Sequence, residues 1–452
     1  MPTPSYKILI AGGGIAGLSV AIELALKGHS ITVLERTPTI QSVGGSQLIP
    51  PQACKVIDSW GCHDRFLKAD EIREKLVIFR YADGSLIGIN DLRWQKDVYG
   101  YQTLNIQREV YQRLLYDRAL ELGVKVKFGC KVDIIDQAIP SITLADGEVL
   151  KADLIIGADG VRSKVRTTVL GEVVEPRVSD TAYICRLPGD LVRADPLTEP
   201  LMSQPDPQGW LAPGRHAVAS PGRHGAIYGI ILVIDKEHDR HPPIPKDARD
   251  WKTRGDIKEL RDMYQDHEPR VRRILDMVKE DDCRMWRISM LPDLKSWVSE
   301  SGKVVLLGDA AHAMHPYLAQ GSAMATEDAT ALGECLSRAT EVSQVPLAMK
   351  AYESIRKPRA EKLKAASEFS GKEKHYPDGE KQRKRDELMM KGAETQLTVP
   401  KKGEKNMHPT AWVHGHDVRA HANAELDRIF GEDGTVSLGN GVPESFGEGL
   451  IV

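Results

Sequence analysis

A turn built from Gly12-Gly13-Gly14-Ile15-Ala16-Gly17 follows directly on the apolar run Lys7-Ile8-Leu9-Ile10-Ala11, giving G-x-G-x-x-G where a strand passes into a helix. Gly12 lets the chain turn sharply, Gly14 leaves room for a pyrophosphate to approach the backbone, and Gly17 lets the next helix pack close to the sheet. The carboxylate of Glu35, about 20 residues further on, stands where it can accept hydrogen bonds from an adenosine ribose. Together these residues predict a bound dinucleotide.

Two later stretches carry the same kind of chemistry. Leu154-Ile155-Ile156-Gly157-Ala158-Asp159-Gly160 and Lys303-Val304-Val305-Leu306-Leu307-Gly308-Asp309 each run an apolar strand into small residues and an acid, which permits close approach of a phosphate-bearing ligand. Ser163 is placed to cap the helix that follows the first of them. Arg108 opens another predicted helix, against the helix dipole, so a carbonyl or phosphate partner competes with simple solvation as its explanation.

The elements that must position these groups are legible from pattern. Leu18–Lys27 predicts a helix stopped by Gly28, and Ser30–Leu34 a second buried strand. Gly44-Gly45 close a polar loop, and Leu48–Trp60 has helical spacing with Ala53, Val56, Ile57 and Trp60 on one face. Leu76–Arg80 and Ser85–Ile89 flank the Asp83-Gly84 step of a hairpin. Between about Pro176 and Cys283 helical periodicity fades, Pro and Gly become frequent, and strands are predicted at Thr181–Leu187, His216–Ala219 and Ala226–Ile234. A helical pair over Gly255–Gln265 and Val271–Lys279 leads back, Ser322–Arg338 is a small-residue helix, Ala351–Met390 is charged and helix-prone, and the remainder reads as loosely ordered.

With 452 residues the chain is long enough for two or three domains, and a formal net charge of -3 with pI near 6.6 gives no basic excess for nucleic acid or an anionic membrane. Cys54, Cys62, Cys130, Cys185, Cys283 and Cys335 show no CxxC or metal-like spacing and read as buried free thiols. No membrane-length apolar run and no leader pattern are present, so the expected location is the cytoplasm, as a monomer or homodimer.

Gly12–Gly17 with Glu35, Asp159-Gly160 with Arg162, and Gly308-Asp309 with Pro316 resemble the three signatures of class A FAD-dependent aromatic monooxygenases. The run from Gly308 through His312, Pro316-Tyr317, Gln320-Gly321 and Glu327-Asp328 is most similar to the salicylate hydroxylase branch and its fungal secondary-metabolism relatives, and Trp412–Asp417 resembles a tail element found there. The sequence departs from that pattern at Pro51, at Ser220-Pro221 and at Ser322-Ala323-Met324.

The resemblance implies an α/β fold: a Rossmann-like FAD-binding domain (1–72, 104–176 and 284–365), an inserted β-sheet substrate domain (73–103 and 177–283) and a C-terminal helical segment and tail (366–452). It implies that Gly12, Gly14 and Gly17 hold the FAD pyrophosphate, with Glu35 and the adjoining Arg36 at the adenosine end. Arg108 contacts the flavin, Asp159 the pyrophosphate region and the docking donor, and Gly308 and Asp309 the ribityl chain. Pro316, Gln320 and Gly321 lie against the ring. NADH or NADPH binds transiently, no second G-x-G-x-x-G being present.

The implied reaction is O2-dependent hydroxylation of an electron-rich phenol or salicylate-like acid through a C4a-hydroperoxyflavin, with no metal. Epoxidation or hydroxylation of an indole or other secondary metabolite, and oxidase or dehydrogenase chemistry on the same scaffold, are the alternatives. Arg186, a charge on an apolar strand, is the first candidate for a substrate anion, against a structural salt bridge. Tyr228 and His216 on neighbouring strands, and His315 and Tyr317 flanking Pro316, complete the catalytic candidates.

Overall fold

The computed structural model describes residues 4–40, 45–69, 72–203, 206–238, 253–394 and 410–430. Gly44 of the predicted glycine loop lies outside them. The chain runs β1 (Lys7–Ala11), α1 (Ile15–Leu26), β2 (Ser30–Leu34), β3 (Ser46–Ile49), α2 (Pro51–Ser59), α3 (His63–Ala69), β4 (Lys75–Arg80), β5 (Leu86–Asp91), α4 (Gln95–Tyr99), β6 (Leu104–Gln107) and α5 (Arg108–Glu121). Then come β7 (Lys125–Lys127), β8 (Val132–Asp136), β9 (Ser141–Leu144), β10 (Val149–Lys151), β11 (Leu154–Gly157), α6 (Lys164–Leu170), β12 (Arg177–Pro188), α7 (Gly189–Arg193), β13 (Gln208–Ala212), β14 (Arg215–Gly222) and β15 (Ile227–Ile234). The last part holds α8 (Ile257–Met263), α9 (Pro269–Met277), β16 (Cys283–Met290), β17 (Val304–Leu306), α10 (Asp309–His312), α11 (Gly321–Leu336), α12 (Val345–Lys374), α13 (Glu380–Glu394), α14 (Ala411–His414) and α15 (Val418–Ile429).

Five strands form a parallel sheet in the order β17-β11-β1-β2-β7. Ile8, Ile10, Leu154, Ile156 and Val305 are fully buried, as expected of strands covered on both faces, and each such side chain contributes about 2 kcal/mol of transfer free energy. A seven-stranded sheet, β16-β12-β15-β14-β13-β4-β5, is antiparallel except where β13 runs parallel to β4. Its two faces alternate with period two. Tyr183, Cys185, Tyr228, Ile230 and Leu232 join the core under α8 and α9, whereas Ala182, Val233 and Ile288 lie on the opposite face with Ile231, Trp286 and Tyr317 packed beside them.

Three sequence expectations need correction. The helix expected from Leu48 starts at Pro51, and Ser46–Ile49 is instead a strand paired with β6. Pro50 holds the residue before it out of the helical region, and Pro51 takes the first helical position, where a missing N–H costs nothing. β13 and β16 have no counterpart in the sequence reading: β16, with its short apolar residues interrupted by arginines, is a strand because β12 pairs with it. In the tail, α15 is a regular helix capped by Asp417, whose side chain accepts the Ala420 N–H, and it buries Val418, Ala422, Leu426 and Ile429 on one face. All six cysteines are buried free thiols. Among the described residues no helix is long and apolar enough to cross a membrane.

Candidate active site

All five strands of the parallel sheet point the same way, so the segments following β1, β11 and β17 emerge at one edge. That edge, beyond the carboxyl ends of the strands, is where an open α/β sheet binds ligands. Gly12 (φ +107°) is in the left-handed half of the map, and a Cβ there would stand 2.4 Å from the Ala158 carbonyl oxygen, so the first and middle motifs touch. Gly308 (φ +61°) brings the third motif within 2.8 Å, measured from an added Cβ, of the Ala16 methyl. Arg166 ties the middle to the third: its guanidinium donates to the carbonyls of Ala310 (3.2 Å), Val161 (2.8 Å) and Val174 (3.1 Å).

Around this junction several positions face open space. A Cβ built on Gly14 meets nothing within 4 Å, nor does one on Gly321, whereas one on Gly17 would collide with the Gly12 carbonyl at 1.9 Å. The first two glycines face open space and the third serves packing. Asp309 and Pro316 are exposed, and Gln320 is buried, its amide oxygen accepting from Gln52 at 2.9 Å. Arg108 is partly accessible; burial lowers its pKa and the negative charge of Asp309 raises it, so the two side chains share one electrostatic site.

Two acids hold the loops in shape. Glu35 Oε2 accepts the Gly13 N–H at 2.7 Å and Oε1 accepts the Thr37 N–H at 2.8 Å, which pins the glycine turn to the end of β2. Arg36 beside it is exposed. The Asp159 carboxylate accepts from Ser163 Oγ and from the N–H groups of Lys164 (2.7 Å) and Val165 (3.2 Å), so it closes the first turn of α6. Burial raises the Asp159 pKa against those hydrogen bonds. Ser163 caps the same helix, as predicted, accepting the Arg166 N–H at 2.9 Å.

The model of the family described as FAD binding domain matches residues 5–367. The chain belongs to that family. A relative from Beauveria bassiana, FAD-dependent monooxygenase OpS4, is 31% identical over 93% of this chain and 97% of its own. The 3-hydroxybenzoate 6-hydroxylase of Polaromonas naphthalenivorans is 30% identical over 81% of this chain and 88% of its own. A solved salicylate hydroxylase substrate complex superposes with a TM-score of 0.75 at 22% identity, over 93% of this chain and 98% of that one, which establishes the shared fold. This flavoprotein is an FAD-dependent monooxygenase.

The catalytic candidates divide by sheet face. Arg186 on β12 turns toward the start of α5: its Nη2 donates to Gln107 Oε1 at 3.4 Å and its Nη1 lies 4.0 Å from Glu109 Oε2. Burial lowers its pKa. Tyr228 does not share that face. It is fully buried in the core under α8 and α9, where its hydroxyl donates to Gln208 Oε1 at 3.1 Å, and it leaves the set of site residues because adjacent positions on paired strands alternate sides.

His315 and Tyr317 are stacked, with ring centroids 5.3 Å apart and planes at 17°. The Tyr317 hydroxyl donates to Asp180, His315 Nε2 lies 3.9 Å from the same carboxylate, and the Tyr317 ring fills the space left by Gly371 on α12. His216, also on this face, has Nδ1 2.8 Å from His375 Nε2. These groups join the seven-stranded sheet to α12.

Residues without a role in the sequence reading complete the setting. Asp328, fully buried, accepts from the Gly308 N–H, from His312 Nε2 and from Arg356 Nε, so α11 and α12 fix the third motif from behind. Gln107 and Glu109 flank Arg108 but face the seven-stranded sheet, and Arg223 from the β14–β15 turn forms an ion pair with Glu109. Nothing in local sequence marks Glu109 or Arg223, because their relation exists only across paired elements.

Proposed function

We propose that this flavoprotein hydroxylates an electron-rich aromatic compound, a phenol or salicylate-like acid, using NADH or NADPH and O2. The observation that carries the reading is the start of α5: Arg108 shares its field with Asp309 on the cofactor side, while its neighbours Gln107 and Glu109 meet Arg186 of the substrate sheet. One turn of helix thus adjoins both the flavin cleft and the sheet face where a substrate can lie. The relative named as a hydroxybenzoate hydroxylase supports an aromatic substrate.

The residues present fit FAD: Gly12, Gly14 and Gly17 form a turn in which only Gly14 faces open space, Gly308 approaches that turn at Ala16, and Asp309 and Pro316 after it are exposed. In this reading Gly12, Gly14 and Gly17 hold the pyrophosphate, Glu35 and Arg36 the adenosine end, Gly308 and Asp309 the ribityl chain, and Pro316, Gln320 and Gly321 the ring, with Arg108 beside it. Asp159 keeps the second strand-end loop in shape. Bound FAD supplies hydride acceptance from the nicotinamide donor and oxygen activation.

The chain's own residues then orient the substrate and keep water out. Arg186 stabilises negative charge on the substrate oxygen or carboxylate, which makes the ring more nucleophilic. His315 and Tyr317 hold the Pro316 loop against Asp180 and α12. The test is a screen of phenols and aromatic acids for stimulated NAD(P)H oxidation under labelled O2, with product masses. Label in a hydroxylated product is expected; stimulated oxidation with no label in any product identifies an oxidase and ends the reading.

A further inference from the structure

We propose that Cys185 and Cys283 are a paired oxidation site, two thiols placed to close into a reversible cross-strand disulfide under hydrogen peroxide, which fastens the edge strand β16 to β12. This chemistry lies outside oxygen transfer and does not depend on which substrate the enzyme takes.

Cys185 and Cys283 stand directly opposite each other in the antiparallel register of β12 and β16. The Cys283 carbonyl accepts the Gly255 N–H at 3.2 Å, and two residues on, the Met285 N–H donates to the Thr253 carbonyl at 2.9 Å. The backbone hydrogen-bonding groups of Cys283 therefore turn away from β12. That makes Cys185 and Cys283 a non-hydrogen-bonded pair, the kind whose Cα atoms approach to about 4.5 Å with their side chains closest. A disulfide needs Cα atoms roughly 4.4–6.8 Å apart and side chains that converge, so the bridge fits without moving the backbone.

Both thiols enter the core under α8 and α9, whereas Cys54, Cys62, Cys130 and Cys335 belong to the core around the parallel sheet. A hydrogen bond with the Cys283 thiol, and burial after it, hold the Cys185 pKa well above the ordinary thiol value. Cys185 is thus kept as a neutral thiol, suited to resolving rather than to attacking. Cys283 sits where the sheet opens most easily. β16 is an edge strand, and among the described residues its outer side pairs with just the segment 253–255. A Cβ on Gly255 would stand 2.7 Å from Cys283 Sγ, so this glycine covers the thiol with backbone alone. The segment is latched by an ion pair of Arg254 with Asp281 at 2.6 Å, both mostly exposed and so of little strength. Lifting it admits a small oxidant to Cys283 while the rest of the sheet stays closed.

The Cys283 sulfur attacks one oxygen of hydrogen peroxide, the O–O bond breaks, and the departing hydroxide takes the thiol proton as water, leaving a sulfenic acid. The Cys185 sulfur then attacks the Cys283 sulfur, the S–O bond breaks, and hydroxide leaves with the Cys185 proton as a second water. The two thiols lose two electrons and one peroxide gains them. Hydrogen peroxide is also what a flavin monooxygenase releases when O2 is reduced and no oxygen reaches a substrate, so the enzyme's own chemistry supplies the oxidant.

The test is peptide mapping of the FAD-loaded wild-type enzyme after exposure to hydrogen peroxide, with free thiols alkylated under denaturing conditions before digestion. A Cys185–Cys283 linked peptide that dithiothreitol releases is expected, while the other four cysteines are recovered alkylated. The bridged enzyme should melt about 5 °C above the reduced one, and dithiothreitol should reverse the gain. In Cys185→Ser, peroxide should leave Cys283 as a sulfenic acid that dimedone captures. Cys283→Ser should give neither bridge nor capture.

Recovery of Cys185 and Cys283 as alkylated thiols from wild type, at peroxide levels that oxidise exposed methionines, overturns the proposal. So does a bridge formed by any other pair, or a bridged enzyme that melts no higher than the reduced one. Dimedone capture at Cys185 in Cys283→Ser, with none at Cys283 in Cys185→Ser, overturns the order of attack. Because the peptide map is read on wild type, the bridge is decided even where a serine variant fails to fold.

Discussion

The carboxylate of Asp328 accepts the backbone N–H of Gly308 at 3.1 Å, so a residue buried on α11 fixes the turn that carries Asp309. The same carboxylate accepts from His312 Nε2 and, at 2.9 Å, from Arg356 Nε. Glu327 next to it accepts from Arg359 at 2.7 Å and pairs with Arg356 at 2.9 Å, and Arg359 goes on to the carbonyls of Trp412 and Val413. One buried charge network thus links the Gly308-Asp309 turn to the Trp412-Val413 segment.

Asp328→Asn should therefore weaken both fold and cofactor retention. It removes half of the compensation of the buried Arg356 cation, and breaking a buried pair of this kind costs about 3 kcal/mol. Urea unfolding of the apoprotein should show the lower midpoint, and the purified variant should carry less flavin. An unchanged midpoint would mean that the network adds nothing to stability.

Acid should act through the same network. Burial alone would raise the Glu327 pKa, but Arg359 and Arg356 outweigh it and hold the group at about 2, below its ordinary 4.5; Asp328 is lowered as well. A depressed carboxyl contributes stability that is complete above the unfolded value of 4.5 and is lost as pH falls toward about 2. Unfolding free energy should fall steadily across that window, and Glu327→Gln should flatten the slope there while lowering stability at neutral pH. A slope identical to wild type would show that other carboxyls govern the transition.

Gly14→Ala and Gly17→Ala should separate ligand space from packing space. A methyl on Gly17 strikes the Gly12 carbonyl at 1.9 Å, so that variant should be destabilised even without flavin. One on Gly14 meets nothing within 4 Å of the protein, so the apoprotein should keep its melting temperature and lose flavin affinity. Full flavin occupancy in Gly14→Ala would remove that position from the cofactor cradle.

Arg186→Ala and Tyr228→Phe should differ in kind. The first should retain flavin and lose aromatic-stimulated turnover by about a hundredfold, the scale of one lost charge stabiliser. The second removes one buried hydrogen bond to Gln208 and should cost about 1 kcal/mol of stability with coupling unchanged. Substrate coupling that survives in the first, or fails in the second, would reverse their assignments.

What the sequence by itself determined was local: a run of buried β-formers, a glycine turn, an acid at a set distance, and the caps of helices such as Ser163 on α6. These are dictated by backbone sterics and short-range hydrogen bonds, so three motifs and the parallel sheet could be read from residue types alone. Tertiary structure decided the rest. Arg186, the first candidate, and Tyr228, a weaker one, both sat on neighbouring apolar strands until pairing put Leu187 opposite Tyr228 and turned Arg186 to the other face. β16 exists because β12 offers it hydrogen bonds, and Glu109 stands between Arg186 and Arg223 only because a helix start, a strand and a hairpin turn meet there. A charge's partners lie wherever the fold brings opposite charge within a few ångströms, and no spacing along the chain encodes that distance.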